Sequence, residues 1–70
     1  MTKANLIRVL TSEVRKLYPT VTETMVAEVF EAWLAGERGI LLPHSFVGML
    51  AGRALDDVEK REPDLLTRLR

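Results

Sequence analysis

Apolar residues recur with helical spacing over the first 17 positions of the chain. At 100° per residue, they fall within an arc of about 100°, the width expected for a helix buried on one side. They are Leu6, Ile7, Leu10, Val14 and Leu17. Thr2 is a suitable N-cap, and the helix should end at Tyr18-Pro19 because the residue before a proline is forced out of helical geometry. The pattern predicts a first helix over residues 3–17.

A second helix is predicted from the capping-box sequence Thr20-Val21-Thr22-Glu23 to about Ala35, with Gly36 as the residue that closes it. Its apolar residues spread over about 180°, which is wider than one packing partner requires. They are Met25, Val26, Val29, Phe30, Trp33 and Leu34. We expect this helix to be buried on two sides. In so short a chain, the second side is expected to form a dimer or partner interface.

The segment Gly39-Ile40-Leu41-Leu42-Pro43 is too short for a helix and is predicted to be extended, with a possible short strand at 39–42. A third helix should begin near His44 or Ser45 and run to about Arg61. Its predicted buried face contains Phe46, Val47, Leu50, Ala51, Ala54, Leu55 and Val58. Gly48 and Gly52 flank this face one turn apart and would let another backbone approach closely.

Pro63 suits the first turn of a short final helix that carries Leu65, Leu66 and Leu69. The predicted fold is therefore all-α or nearly so. It consists of a helical hairpin, a third long helix and a short C-terminal helix within one small domain, residues 1–70.

A domain of 70 residues buries only about 60% of the surface that its unfolded chain exposes, so its stability needs a supplement. The chain has no cysteine and a single histidine, His44, which excludes disulfides and argues against a zinc site. We therefore expect a homodimer without metal or cofactor. His44 is best explained as a residue at the start of a helix.

Catalytic motifs are missing from the sequence, which has no cysteine nucleophile and no glycine-rich phosphate loop. We expect neither an enzyme nor a small-molecule substrate. No apolar run approaches the length of about 20 residues that spans a bilayer, and the first residues lack the apolar segment of a signal peptide. The expected location is cytoplasmic, without membrane association.

The formal net charge is zero, but its distribution is uneven. Residues 1–18 carry four basic side chains and one acidic one, a balance of +3, whereas residues 19–42 carry four acidic and one basic, a balance of −3. These opposite charges make the first two helices compatible neighbours. The basic residues of the first helix are also candidate contacts to DNA phosphates: Lys3, Arg8, Arg15 and Lys16.

Several residues resemble the histone-like HU and integration host factor family. Met1-Thr2-Lys3, Leu6-Ile7 and Leu10 are similar to its first helix, and Val26 and Leu34 to its second. Gly36-Glu37-Arg38-Gly39-Ile40 resembles the family's turn into its first strand, and Phe46 stands where the family has an aromatic residue between two glycines.

The resemblance covers roughly the first 46 residues and implies an intertwined homodimer built on the second helix. It also implies phosphate contact by Lys3. The arginine-asparagine-proline arm of that family has no counterpart after Phe46, and a charge-balanced helical pattern replaces its basic strands. We therefore expect any DNA binding to be weak and without sharp bending.

Two functions remain open, and both are non-catalytic binding. One is a DNA-associated, HU-like homodimer without the DNA-bending arm. The other is a small protein-interaction module, such as an adaptor or an inhibitor encoded by a mobile element, that uses Trp33, Phe30 and the acidic face of the second helix. A DNA-binding protein should present a contiguous basic surface, whereas an adaptor should present an apolar patch.

Overall fold

The computed structural model describes residues 1–69, which form four α-helices. They are α1 (Lys3–Arg15), α2 (Glu23–Leu34), α3 (Phe46–Arg61) and α4 (Pro63–Leu69). A single turn of 3-10 helix, Gly39–Leu41, lies between α2 and α3, and no strand occurs in the described residues. The prediction of an all-α fold with three long helices and a short last one is confirmed.

The start of α1 agrees with the sequence pattern, but its end does not. The Thr2 hydroxyl accepts a hydrogen bond of 3.1 Å from the Asn5 amide, as expected for an N-cap. Leu6, Leu10 and Val14 are buried as predicted. The helix ends two residues before the predicted end, however, so Leu17 lies in the following turn and is exposed.

The start of α2 lies two residues later than the capping-box prediction. Thr22 is the N-cap, and its hydroxyl accepts from the Met25 amide at 3.2 Å. Val21, which precedes this cap, is buried in the same core as Val26, the arrangement of a hydrophobic staple. The Arg15 Nε also donates to the Val21 carbonyl oxygen, at 3.1 Å. Burial of Val21 explains why Thr22, and not Thr20, caps the helix.

The end of α2 confirms the role predicted for Gly36. This glycine has a φ of 105°, which is costly for other residues. Its amide donates to the Trp33 carbonyl oxygen, and the Glu37 amide donates to that of Ala32, each at 3.0 Å. These two bonds form a Schellman motif, which satisfies carbonyl groups left over at the helix end.

The wide apolar face of α2 is covered by the chain itself. The helix lies against both α1 and α3, and the side chains of Val26, Val29, Phe30 and Trp33 are fully buried in the core that the helices share. Met25 and Leu34 are partly buried beside that core. The expectation that the second side of α2 forms a dimer or partner interface is wrong, because α3 provides the second packing side.

The connection from α2 to α3 is a 3-10 turn, so the strand predicted at 39–42 is wrong. Leu42 is the buried residue of this segment, and it packs where Gly48 and Gly52 leave α3 without side chains. An added Cβ on Gly48 would collide with the Pro43 carbonyl oxygen, and one on Gly52 with Leu42 Cδ1. The predicted close approach of another backbone is confirmed at Gly48, whereas the close neighbour of Gly52 is the Leu42 side chain.

The last helix packs against α3, with Leu65 and Leu66 buried and Leu69 partly buried against the core.

The radius of gyration is 10.8 Å, close to the value of about 11 Å for a compact chain of this length. None of the helices in residues 1–69 combines the length and apolar character that crossing a membrane requires.

Candidate interaction surface

An apolar pocket opens on the surface where the α2–α3 connection meets the first turns of α3. Its volume is about 440 Å³, and it is lined by Gly39, Ile40, Leu42, Ser45, Phe46 and Met49. The Tyr18 ring lies beside it, with its centroid 6.1 Å from that of Phe46. We call the exposed part of this surface, Tyr18, Ile40, Phe46 and Met49, the apolar patch.

The side chains of the patch are unusually exposed for their type. Ile40 is 100% exposed, and its neighbour Leu41, at the tip of the 3-10 turn, is 69% exposed. Phe46 and Met49 are 44% and 46% exposed. Single exposed apolar residues are common, but a group of them around a concave surface is typical of an interaction site.

The near end of the 3-10 turn is fixed to α2 by Arg38. Its guanidinium carbon lies 4.1 Å from the centroid of the Trp33 ring, a cation–π geometry. Its Nη1 donates to the carbonyl oxygens of Trp33 and Glu37, at 2.7 and 2.8 Å. Arg38 therefore satisfies backbone groups at the end of α2 and holds the chain where the turn begins.

The far end of the turn is fixed by contacts with both α3 and α2. Leu42 is buried against Gly48 and Gly52, and His44 Nε2 lies 3.1 Å from Glu28 Oε1 on α2. His44 and Ser45 have φ values of 66° and 46°, in the left-handed region that few residues adopt. Because these contacts fix both flanks, the turn presents Ile40 and Leu41 in a defined position.

The four basic residues proposed for DNA contact each have a partner within the chain. Lys3 pairs with Glu31 on α2 and lies 5.7 Å from the centroid of the Phe30 ring. Arg15 donates to the Val21 carbonyl oxygen. The other two have neighbours within α1: Arg8 donates to the Asn5 side chain at 3.2 Å, and Lys16 pairs with Glu13 at 3.4 Å. All four therefore have internal partners, and the Lys3–Glu31 pair shows the predicted compatibility of α1 and α2.

The six α2 residues proposed as a dimer or partner interface do not form an exposed surface. Val26, Val29, Phe30 and Trp33 are core residues, and Met25 and Leu34 lie at the edge of the core. Trp33 also has its polar group satisfied internally, because the indole Nε1 donates to Asp56 Oδ1 at 2.9 Å. An interface on this chain must therefore be built from other residues.

The acidic residues near the end of α3 are engaged in structural contacts. Asp56 accepts from Trp33 and lies 3.7 Å from Arg38 Nε, and Asp57 lies 3.8 Å from Arg61 one turn away. Within residues 1–69, no three acidic, histidine or cysteine side chains come together as metal ligands. The apolar patch is thus the site with the clearest binding chemistry.

Sequence analysis missed Ile40, Leu41 and Met49, and it assigned Phe46 to the buried face. One signal was available: Val47, Ala51 and Leu55 recur at spacings of four, and they define the inward direction of α3. Phe46 and Met49 then fall on the outer side. A second signal was the run of three large aliphatic residues, Ile40 to Leu42, in a segment too short to bury them all.

The chain matches no protein-family model, no curated protein and no solved structure.

Proposed function

We propose that this chain is a non-catalytic protein-interaction module that binds its partner through the apolar patch. The observation that carries the proposal is the fully exposed Ile40, which lines an apolar pocket together with the half-exposed Phe46 and Met49. Covering these side chains with a partner would remove apolar area from water, at about 25 cal/mol for each Å².

The contacts that fix the turn support the same proposal. A flexible loop loses conformational entropy when it binds, whereas a loop already held in its bound geometry does not. Arg38 and Leu42 hold the two flanks of the 3-10 turn, so Ile40 and Leu41 need little further ordering. Two exposed aliphatic side chains held in a fixed position favour binding over a purely structural role.

Protein is a better candidate partner than DNA. DNA affinity depends mainly on cationic side chains that replace counterions along the phosphates. The chain has a formal net charge of zero, and each basic side chain of α1 has a partner within the chain, outside α1 for Lys3 and Arg15 and inside it for Arg8 and Lys16. An apolar patch provides no partner for phosphate groups, whereas it matches the buried centre of a protein–protein interface.

Site-specific photo-cross-linking in cells tests this proposal. A photoreactive phenylalanine analogue would replace Ile40 in one variant and Val9, an exposed apolar residue on α1, in a matched control. We expect a discrete cross-linked protein from the Ile40 position only. The purified partner should then bind the wild-type chain and lose most of its affinity for Met49→Ser. Equal cross-linking from both positions, or undiminished binding by Met49→Ser, would contradict the proposal.

A further inference from the structure

The size of the apolar patch limits the kind of partner that fits it. A stable interface between two globular proteins uses roughly 20–30 residues on each side. The pocket is lined by six residues, with the Tyr18 ring against Phe46 and the exposed Leu41 next to Ile40 in the chain. A surface of this size suits a single helix that places one row of apolar side chains in a groove.

A charged residue continues the patch along α3. Phe46, Met49 and Arg53 follow one another at spacings of three and four, so they lie on one side of the helix. Arg53 is exposed, and its side chain makes no hydrogen bond or ion pair within residues 1–69. The row therefore changes from apolar to cationic within two helical turns.

We propose that the occupant of the apolar patch is an amphipathic helix of a partner protein that carries a carboxylate at one end of its apolar row. Apolar side chains spaced three or four residues apart would fill the pocket beside Phe46 and Met49, and the carboxylate would pair with Arg53. This inference rests on the proposed function and specifies the partner for the same site.

A second copy of the chain fits this surface less well. In a symmetric dimer, the same patch would have to supply both the cation and its acidic counterpart. The acidic residues of α3 near Arg53 are Asp56 and Asp57. Asp56 already contacts Trp33 and Arg38, and Asp57 already pairs with Arg61. Charge complementarity therefore favours a partner that brings its own carboxylate.

Fluorescence anisotropy with two designed peptides tests this inference. Each fluorescein-labelled peptide has about 16 residues, enough for four helical turns, with leucines at spacings of three and four on an alanine and glutamine background. One carries Glu a turn beyond the last leucine, and the other carries Lys there. We expect the Glu peptide to bind the wild-type chain about fivefold more tightly than the Lys peptide, as for an exposed ion pair of good geometry.

Two variants complete the test. Arg53→Glu should reverse the peptide preference, and Met49→Ser should weaken the binding of both peptides, while circular dichroism verifies that each variant is folded. If the Glu and Lys peptides bound with the same affinity to the wild-type chain, and again with the same affinity to Arg53→Glu, the acidic occupant would be overturned. That result would leave the proposed function intact if Met49→Ser still weakened binding.

Failure of both peptides to bind would overturn the helical occupant, whereas the cross-linking experiment decides the proposed function separately. Sedimentation of the unlabelled chain at the same concentrations addresses self-association. A dimer that Met49→Ser dissociates would assign the patch to a second copy and overturn the inference. A chain that stays monomeric while it binds the Glu peptide supports it.

Discussion

The Arg38 guanidinium lies over the Trp33 ring and donates to the carbonyl oxygen of the same tryptophan. The Arg38 side chain thus covers a core aromatic residue and donates to a carbonyl group at the end of α2. It also fixes the position of the backbone where the exposed 3-10 turn begins. These contacts couple the stability of the core to the geometry of the apolar patch.

Arg38→Ala should lower the free energy of unfolding by about 1–2 kcal/mol. The substitution removes a cation–π contact and two hydrogen bonds from the guanidinium to backbone carbonyl oxygens. Amide hydrogen exchange should also accelerate at Leu41 and Leu42, whose amides donate to the Arg38 and Gly39 carbonyl oxygens. Arg53→Ala is the matched control and should change neither quantity. Unchanged exchange in Arg38→Ala would show that the turn is held without this anchor.

Asp56 accepts the hydrogen bond of the buried Trp33 indole, so its replacements should separate hydrogen bonding from charge. Asp56→Ala leaves the indole N–H without a partner and should cost about 1–3 kcal/mol. Asp56→Asn keeps an oxygen acceptor and loses only the ion pair with Arg38, which is worth about 0–1 kcal/mol. Urea denaturation followed by Trp33 fluorescence measures both. Equal losses in the two variants would mean that charge, and not the hydrogen bond, stabilises the pair.

The glycines of α3 should differ in their tolerance of alanine. Gly48→Ala would place a methyl group against the Pro43 carbonyl oxygen, a backbone atom that cannot move alone, and should destabilise the fold by about 1–3 kcal/mol. Gly52→Ala meets only the end of the Leu42 side chain, and the gain in helix propensity of about 1 kcal/mol offsets much of that contact. Thermal unfolding by circular dichroism should therefore rank Gly48→Ala well below Gly52→Ala. The reverse order would show that the side chain of Leu42 is less adaptable than the backbone at Pro43.

The helices of this fold could be predicted because their signals are local. Apolar spacing located all four, Thr2 and Gly36 marked two of their ends, and the paired glycines of α3 indicated a close approach. The choice between Thr20 and Thr22 as the cap of α2 depended on burial of Val21 by other helices. Val21 and Val26 have the local spacing of a hydrophobic staple, but burial of that pair depends on where the other helices pack.

The apolar patch could be predicted only in part, for a related reason. A wide apolar face on α2 has the same pattern whether α3 or a second subunit covers it, so Trp33 was a reasonable interface candidate until α3 was placed. Exposure of Ile40 likewise depends on which of the three successive aliphatic residues 40–42 packs against Gly48 and Gly52. The structure assigns that place to Leu42.

Trp33→Asp distinguishes a core tryptophan from an interface tryptophan. The substitution removes the largest fully buried side chain and leaves a carboxylate in the core, and its cost of several kcal/mol is comparable with the whole stability of a 70-residue domain, about 3–10 kcal/mol. We expect an unfolded chain at every concentration, as measured by far-ultraviolet circular dichroism. A folded Trp33→Asp monomer, beside a wild-type dimer in light scattering, would instead show that Trp33 lies between subunits.

Ile40→Ser should separate binding from folding most cleanly, because Ile40 is fully exposed and makes no contribution to the core. Surface substitutions of this kind change the free energy of unfolding by about 0.5 kcal/mol or less. Affinity for the cross-linked partner should nevertheless fall, since a partner that covers Ile40 loses the apolar area of its side chain. Val9→Ser is the matched control and should leave both stability and affinity unchanged. Isothermal titration of the purified partner with each variant measures the effect, and equal affinities for the wild-type chain and Ile40→Ser would show that the turn lies outside the interface.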